Sequence, residues 1–162
     1  MHLLQINSFV IYNILLIIFF SLTANALSSY PIINIAFYGI FHFLLIYVGV
    51  YYYRKMLYFL YFVYGLFLDI FWINEIGPHL ISFISILLFF NLIFKYLYNL
   101  NSLKIYMFLL LMQIMMIFFE LLIAQILFDY YLDFDYFLKN ILFSIILSYP
   151  IFIIFSKIDL IK

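Results

Sequence analysis

The chain has 162 residues, of which 71% are hydrophobic and 9% are charged, and its mean hydropathy is +1.28. With so little polar surface it cannot cover a water-soluble core, and it is predicted to be an integral membrane protein. Its formal net charge is zero, so no basic surface predicts nucleic-acid binding. The chain contains no cysteine, which excludes disulfides, thiolate nucleophiles and cysteine-based metal sites.

Long apolar segments follow one another along the whole chain, and each is long enough for the roughly 20 residues that a helix needs to cross hydrocarbon. They cover about residues 9–27, 31–53, 56–74, 79–99, 103–128 and 138–156. Because they leave no room for a soluble domain, residues 1–162 are predicted to form one transmembrane domain. The expected fold is a compact all-α bundle of six transmembrane helices in which consecutive helices are antiparallel.

The first segment ends near Ala24-Asn25-Ala26, a pattern similar to a signal-peptidase site. A secretory signal carries a positive amino-terminal region, but no lysine or arginine precedes Arg54. The apolar run is also longer than the core of a typical signal peptide. We therefore expect an uncleaved first helix.

The basic residues alternate between the connections in a way that predicts orientation. Six of the seven lie on one side of the bundle: Arg54, Lys55, Lys95, Lys104, Lys157 and Lys162. The other side has Lys139 with several carboxylates: Glu75, Asp129, Asp133 and Asp135. The positive-inside rule assigns the first side to the cytoplasm, so both termini are predicted to be cytoplasmic.

The stretch GLFLDIFWINEIGPHL places a carboxylate, Asp69, inside an apolar span. An ionisable group at this depth must face protein, water or a partner. Gly65 lies one turn earlier on the same helix face, where it leaves space for a neighbouring helix. Gly77 suits a tight connection and Pro78 suits the first turn of the next helix. The stretch is predicted to form an outward-facing helical hairpin with Asp69 just below its turn.

Glu120 is the second carboxylate well inside a span, and it shares a helix face with Gln113 and Ala124. This face is predicted to point into the bundle. Asp69 and Glu120 could form a proton or cation relay, or they could be buried carboxylates that fix helix packing through hydrogen bonds. The second interpretation is favoured, because a relay needs a chain of groups that the sequence does not reveal.

Two further polar features allow a metal interpretation, and neither favours it. His42 lies midway along the second span and is predicted to be a neutral, hydrogen-bonded histidine, since a metal site needs more converging ligands. The connection DYYLDFDYFLKN contains Asp129, Asp133 and Asp135. It lacks the glycine and the terminal glutamate of an EF-hand loop, so a wetted cap at the membrane interface is favoured over a cation site.

The hairpin resembles a pattern of the MreD family, the rod shape-determining membrane proteins of bacteria. That pattern reads Gly-Leu-x-x-Asp near the end of the third helix, then a glycine eight residues later and often a histidine shortly after it. The matching residues are Gly65, Leu66, Asp69, Gly77 and His79. The chain length and the position of the hairpin are similar as well.

The resemblance implies a non-enzymatic component of the cell-elongation complex in the bacterial inner membrane, with no cofactor. The implied partners are MreC, RodA and penicillin-binding peptidoglycan synthases, and indirectly MreB filaments. Together with Pro78 and Glu120, the matching residues are the candidates for structural or partner-contact roles.

The alternative function is a small transporter, or the substrate-binding subunit of an energy-coupling-factor transporter, which is also commonly a six-helix bundle. In that case Asp69, Glu75 and His79 would belong to a binding pocket on the outer side. A membrane-embedded enzyme is not favoured, because no nucleophile or metal constellation is recognisable.

Overall fold

The computed structural model describes residues 2–24, 31–72, 75–97, 102–129 and 134–160. Over these ranges the fold is all-helical, as predicted. The helices are α1 (His2–Ala24), α2 (Pro31–Tyr51), α3 (Met56–Trp72), α4 (Pro78–Leu97), α5 (Ser102–Phe128) and α6 (Phe134–Leu160). Each predicted apolar segment corresponds to one helix, and the boundaries of α2 to α5 agree with the prediction within two residues.

The first and last helices extend beyond their apolar segments. Helix α1 begins at residue 2 instead of 9, and α6 covers residues 134–160 instead of 138–156. The prediction used the apolar length that crosses hydrocarbon, whereas a helix continues for as long as its backbone hydrogen bonds are made. In α6 the first turn contains Asp135 and the last turn contains Lys157, and both charges stabilise the helix dipole.

Helix α2 occupies the centre of the bundle. All ten residues from Phe41 to Val50 are buried, and α2 packs against α1, α4, α5 and α6. A helix that is apolar around its whole circumference can be buried on every side. Gly49 makes room for its neighbours, because a Cβ there would lie 2.8 Å both from a ring carbon of Phe90 and from the Tyr61 hydroxyl.

The neighbours in the chain are also neighbours in space for most of the bundle. The pairs α1 and α2, α3 and α4, α4 and α5, and α5 and α6 pack side by side, and α6 also packs along α2. The α3–α4 pair is the most extensive of these. The hairpin singled out in the sequence is therefore a principal packing unit of the fold.

Within the described residues, three helical stretches are long and apolar enough to cross a membrane: Ile32–Tyr51, Ser102–Phe128 and Phe134–Asp159. The other three are apolar but shorter: Phe9–Thr23, Met56–Trp72 and Pro78–Ile93. Large apolar side chains lie on the outside of the bundle, among them Leu92 and Ile126, which are 75% and 77% exposed. Such a surface suits hydrocarbon and supports association with a membrane.

Parts of some predictions lie outside the described residues. These parts are Asn25 and Ala26 of the signal-peptidase-like pattern, Asp133 of the acidic connection, and Lys162. The predictions that involve these residues stay predictions.

Candidate functional site

Asp69 fastens the end of α3 to the beginning of α4. Its Oδ2 accepts hydrogen bonds from the backbone N–H groups of Gly77 (2.8 Å) and Leu80 (3.1 Å), and its Oδ1 accepts one from the backbone N–H of His79 (2.8 Å). The first N–H groups of a helix lack intrahelical partners, and the helix dipole favours a negative charge there. Pro78 has no N–H, and the carboxylate bonds to the amides on either side of it. We call Asp69, Gly77, His79 and Leu80 the hairpin clasp.

Two glycines allow the hairpin to pack closely. A Cβ on Gly65 would lie 2.6 Å from Leu80 Cα and 2.9 Å from Leu80 N, and backbone atoms cannot rotate out of the way. A Cβ on Gly77 would lie 3.1 Å from Leu127 Cδ1 of α5. Among the described residues no glycine has a positive φ. Gly77 therefore adopts a backbone conformation that other residues can also adopt, and a side chain there would have to displace the end of Leu127 by a few tenths of an ångström.

From the hairpin clasp a line of hydrogen bonds runs into the bundle. His79 Nδ1 lies 2.8 Å from Asp69 Oδ1, and His79 Nε2 lies 3.3 Å from the Tyr38 hydroxyl. The Tyr38 hydroxyl donates to Glu120 Oε2. His42 Nε2 lies 3.0 Å from Glu120 Oε1, and His42 Nδ1 donates to the Tyr38 carbonyl oxygen at 2.8 Å. We call these five side chains, which come from α2, α3, α4 and α5, the buried polar chain.

Aromatic rings and tight packing shield most of the buried polar chain from solvent. Each of its members is at most 5% exposed. Trp72 stacks on Tyr38 with ring centroids 5.2 Å apart. Phe83 contacts His42 and His79 through edge-to-face arrangements at 5.5 and 6.2 Å. In such surroundings the interactions between polar groups are stronger than in water, and an unpaired group costs more.

A second line of polar residues follows α6 at four-residue spacing. Asn140, Ser144 and Ser148 are each at most 1% exposed. Gln113 of α5 donates to the Gly39 carbonyl oxygen of α2 (2.7 Å) and to the Ser144 hydroxyl (3.1 Å). One amide group thus connects α5 with both α2 and α6.

Three tyrosines converge on Asp159 near the end of α6. Tyr12 of α1 donates to its carboxylate at 3.1 Å, and Tyr47 of α2 and Tyr52, which directly follows α2, also donate to it. The Tyr12 hydroxyl also lies 3.0 Å from the Phe155 carbonyl oxygen. This tyrosine cluster joins α1, α2 and α6 at the end of the bundle opposite the hairpin clasp.

Most of the candidate residues from the sequence meet at the hairpin. Gly65, Asp69, Gly77, Pro78 and His79 lie together there, and Glu120 is reached from His79 through a single tyrosine. Leu66 is half-buried on α3, and its side chain has no group that could join the hydrogen bonds. The predicted inward face of α5 is confirmed, because its residues Gln113, Glu120 and Ala124 are all buried.

Sequence reasoning missed the residues that complete these networks. Tyr38 links the two carboxylates, but it is one of 17 tyrosines in the chain. The available signal was its position four residues before His42, which places both on one helix face. For α6, the repeat of Asn140, Ser144 and Ser148 was the corresponding signal. Asp159 follows the predicted sixth span and is partly buried, and no pattern in the sequence indicated its contacts with tyrosines.

The described part of the acidic connection lies at the surface. Asp129 is exposed and follows α5 with a φ of 52°, a left-handed conformation that aspartate tolerates. Asp135 pairs with Lys139 one turn later, and both are exposed. Within the described residues no group of three side chains could hold a metal ion.

No family model, characterised protein or solved structure matches this chain. Its function has to be argued from the site itself. The site brings two carboxylates, two imidazoles and a phenol into mutual contact inside an apolar bundle. Such a set can hold helices in fixed positions, and it can bind and share protons.

Proposed function

We propose that the chain crosses the bacterial inner membrane six times, with both termini in the cytoplasm. The alternation of basic residues supports this orientation. Helices α1, α3 and α4 support six spans, because they are apolar and pack in one bundle with α2, α5 and α6. Helices α1 and α4 have 23 and 20 residues, and α3, with 17, can cross where the bilayer thins or where polar ends reach the interface.

The lack of native cysteine makes this topology testable. Single cysteines at the exposed positions Glu75 and Asp135 are expected to react with an impermeant thiol reagent in intact cells. Cysteines at the exposed positions Lys55 and Lys104 are expected to react only after the membrane is opened. The reverse labelling pattern would contradict the orientation.

Within this topology, the function that the geometry supports best is a non-enzymatic organiser of the cell-elongation complex, similar to the MreD family. The observation that carries it is that four of the five residues of the resemblance, Gly65, Asp69, Gly77 and His79, meet at the hairpin. Asp69 bonds to the amide of Gly77, which gives a physical reason for the eight-residue step, and Gly65 admits the backbone of α4. A rigid hairpin end of this kind offers partner helices a fixed surface.

The second candidate function is a small transporter or the substrate-binding subunit of one. The buried polar chain favours it, since ionisable residues inside a membrane often mark ion or substrate paths. A binding subunit also needs polar groups that converge on an open pocket. In the described structure those groups bond to one another, and a cavity of about 450 Å³ between α4 and α5 is almost entirely apolar. The organiser therefore fits better.

Purification of the tagged chain from its native membrane in mild detergent distinguishes the two functions. The organiser is expected to bring MreC, RodA or penicillin-binding proteins with it, and a transporter subunit is expected to bring an energising ATPase. Asp69→Ala is expected to reach the membrane and lose these partners, because it breaks the hairpin clasp. Asp135→Ala, at an exposed carboxylate, is the matched control and should keep them. Recovery of transporter subunits alone would overturn the proposal.

A further inference from the structure

We propose that the buried polar chain is a proton-binding site, in which Tyr38 couples the protonation of His79 at the hairpin to that of the His42–Glu120 pair. The ligand is a proton, and the site spans four helices. It would bind protons whether or not the chain serves in cell elongation.

The number of hydrogen bonds sets the number of protons. Four contacts join the five side chains in sequence, and each needs one proton between its two heavy atoms. A fifth proton is needed where His42 donates to the Tyr38 carbonyl oxygen. Two doubly protonated imidazoles and one phenol supply five protons. With both carboxylates ionised, or with one proton shared between His42 and Glu120, the complete network has a net charge of zero.

No other described cation balances the two carboxylates. Every described lysine and arginine side chain is exposed. The groups that face the site are Tyr38 and His42 from α2, Asp69 from α3, His79 from α4 and Glu120 from α5. Tyr136 of α6 interacts electrostatically with Tyr38, and α1 contributes a backbone carbonyl that binds Trp72. Neutrality therefore depends on protons held by the imidazoles.

Tyr38 transmits the loss of a proton because its hydroxyl has only one to donate. While His79 Nε2 is protonated, it donates to Tyr38 and Tyr38 donates to Glu120. When Nε2 loses its proton to water, the hydroxyl can satisfy either Nε2 or Glu120, and the other is left without a donor. The contact between His79 Nε2 and Tyr38 is the longest of the four at 3.3 Å, and it is the contact that depends on this proton.

The direction of the pH effect follows from this count. At low pH all contacts are made and the site is neutral. As the pH rises, a proton leaves, one contact is lost and a net negative charge stays buried, which is costly inside an apolar bundle. The hydrogen bonds that join α4 to α2 and α5 are therefore all made at low pH. They weaken as the pH increases.

Nuclear magnetic resonance of the full chain labelled with nitrogen-15 histidine tests the coupling in lipid vesicles. The chain has three histidines, and a His2→Gln background leaves the two of interest. Between pH 5 and pH 9, the imidazole signals of His42 and His79 are both expected to change at the same midpoint, because a protonation step of coupled groups belongs to the pair and is seen at both. In Tyr38→Phe the two midpoints are expected to separate. The melting temperature of the wild type in detergent is expected to fall as the pH rises, and that of Tyr38→Phe is expected to depend less on pH.

A second variant keeps the test decisive if Tyr38→Phe does not fold. Glu120→Gln cannot share a proton with His42, so the His42 signals are expected to stop following those of His79. Separate midpoints in the wild type would overturn the proposal, and so would a common midpoint that survives both substitutions. If neither imidazole changes protonation between pH 5 and pH 9, the site exchanges no proton in that range and the proposal is wrong.

Discussion

At residue 65 a single methyl group would lie 2.6 Å from the backbone of Leu80, closer than packed atoms can approach. Gly65→Ala is therefore expected to push α3 and α4 apart and to cost about 1–3 kcal/mol, the usual range for overpacking. Thermal unfolding in detergent measures it.

Gly39→Ala is the matched control for this substitution. Its Cβ would lie 3.4 Å from Ser144 Oγ and 3.8 Å from Gln113 Nε2, which are acceptable contacts. Both variants gain the same helix propensity, so the difference between them isolates the packing term. Equal melting temperatures for the two variants would contradict the close approach at Gly65.

Asp69 gives a second expectation at this scale, because all its hydrogen-bond partners are donors. Asp69→Asn would turn an NH2 group toward other N–H groups and leave buried amides without an acceptor. We expect it to destabilise the protein almost as much as Asp69→Ala, by at least the roughly 0.5–2 kcal/mol of a lost helix cap.

Hydrogen exchange at the amides of Gly77, His79 and Leu80, together with thermal unfolding, measures this effect. Asp135→Asn is the exposed control and should change little. An Asp69→Asn variant as stable as the wild type, with protected amides, would rule out the ionised clasp.

Asp69 and Tyr38 show how far the chemistry of a single residue can be predicted from the sequence. Asp69 stood out because a carboxylate in an apolar span must have partners. Its partners are backbone amides, which no pattern of side chains reveals. Tyr38 did not stand out, because a tyrosine is tolerated in the core, at the interface and toward lipid alike.

Among the helices, the existence of each element was predictable and its place in the bundle was not. Apolar length identifies the segments, but lipid and protein interiors are equally apolar, so hydropathy does not distinguish an inward face from an outward one. Helix α2 is the central helix, although its composition resembles that of its neighbours. Only polar faces, such as that of Gln113 and Glu120, indicated which side of a helix points into the bundle.

The tyrosine cluster yields an expectation for the packing of α1, α2 and α6. Asp159→Ala would remove one hydrogen-bond acceptor from three tyrosine hydroxyls at once. A hydrogen bond is typically worth about 0.5–1.5 kcal/mol, and an unsatisfied buried group costs more. Asp159→Ala is therefore expected to lower the melting temperature further than Tyr47→Phe, which removes a single donor.

Asp135→Ala, at an exposed ion pair, is the control for this comparison. If Asp159→Ala and Asp135→Ala have the same melting temperature, the tyrosine cluster does not join these helices.

For the molecule as a whole, the two ends of the bundle are held by different means. The hairpin clasp and buried polar chain unite α2, α3, α4 and α5 at one end, and Asp159 unites α1, α2 and α6 at the other. Because α2 belongs to both sets, it is the element through which a change at one end would reach the other. The sequence predicted the membrane environment and the hairpin, and it could not predict this division because the contacts join residues that are far apart in the chain.

Depletion of the protein from a rod-shaped bacterial host tests the proposed role in cell elongation most directly. Depleted cells are expected to become round, and the wild type and Asp135→Ala are expected to restore the rod shape. Asp69→Ala is expected to reach the membrane without restoring the shape, because the hairpin end no longer holds its form. Unchanged shape on depletion, with loss of uptake of a small nutrient, would contradict the proposed function and assign the chain to a transporter.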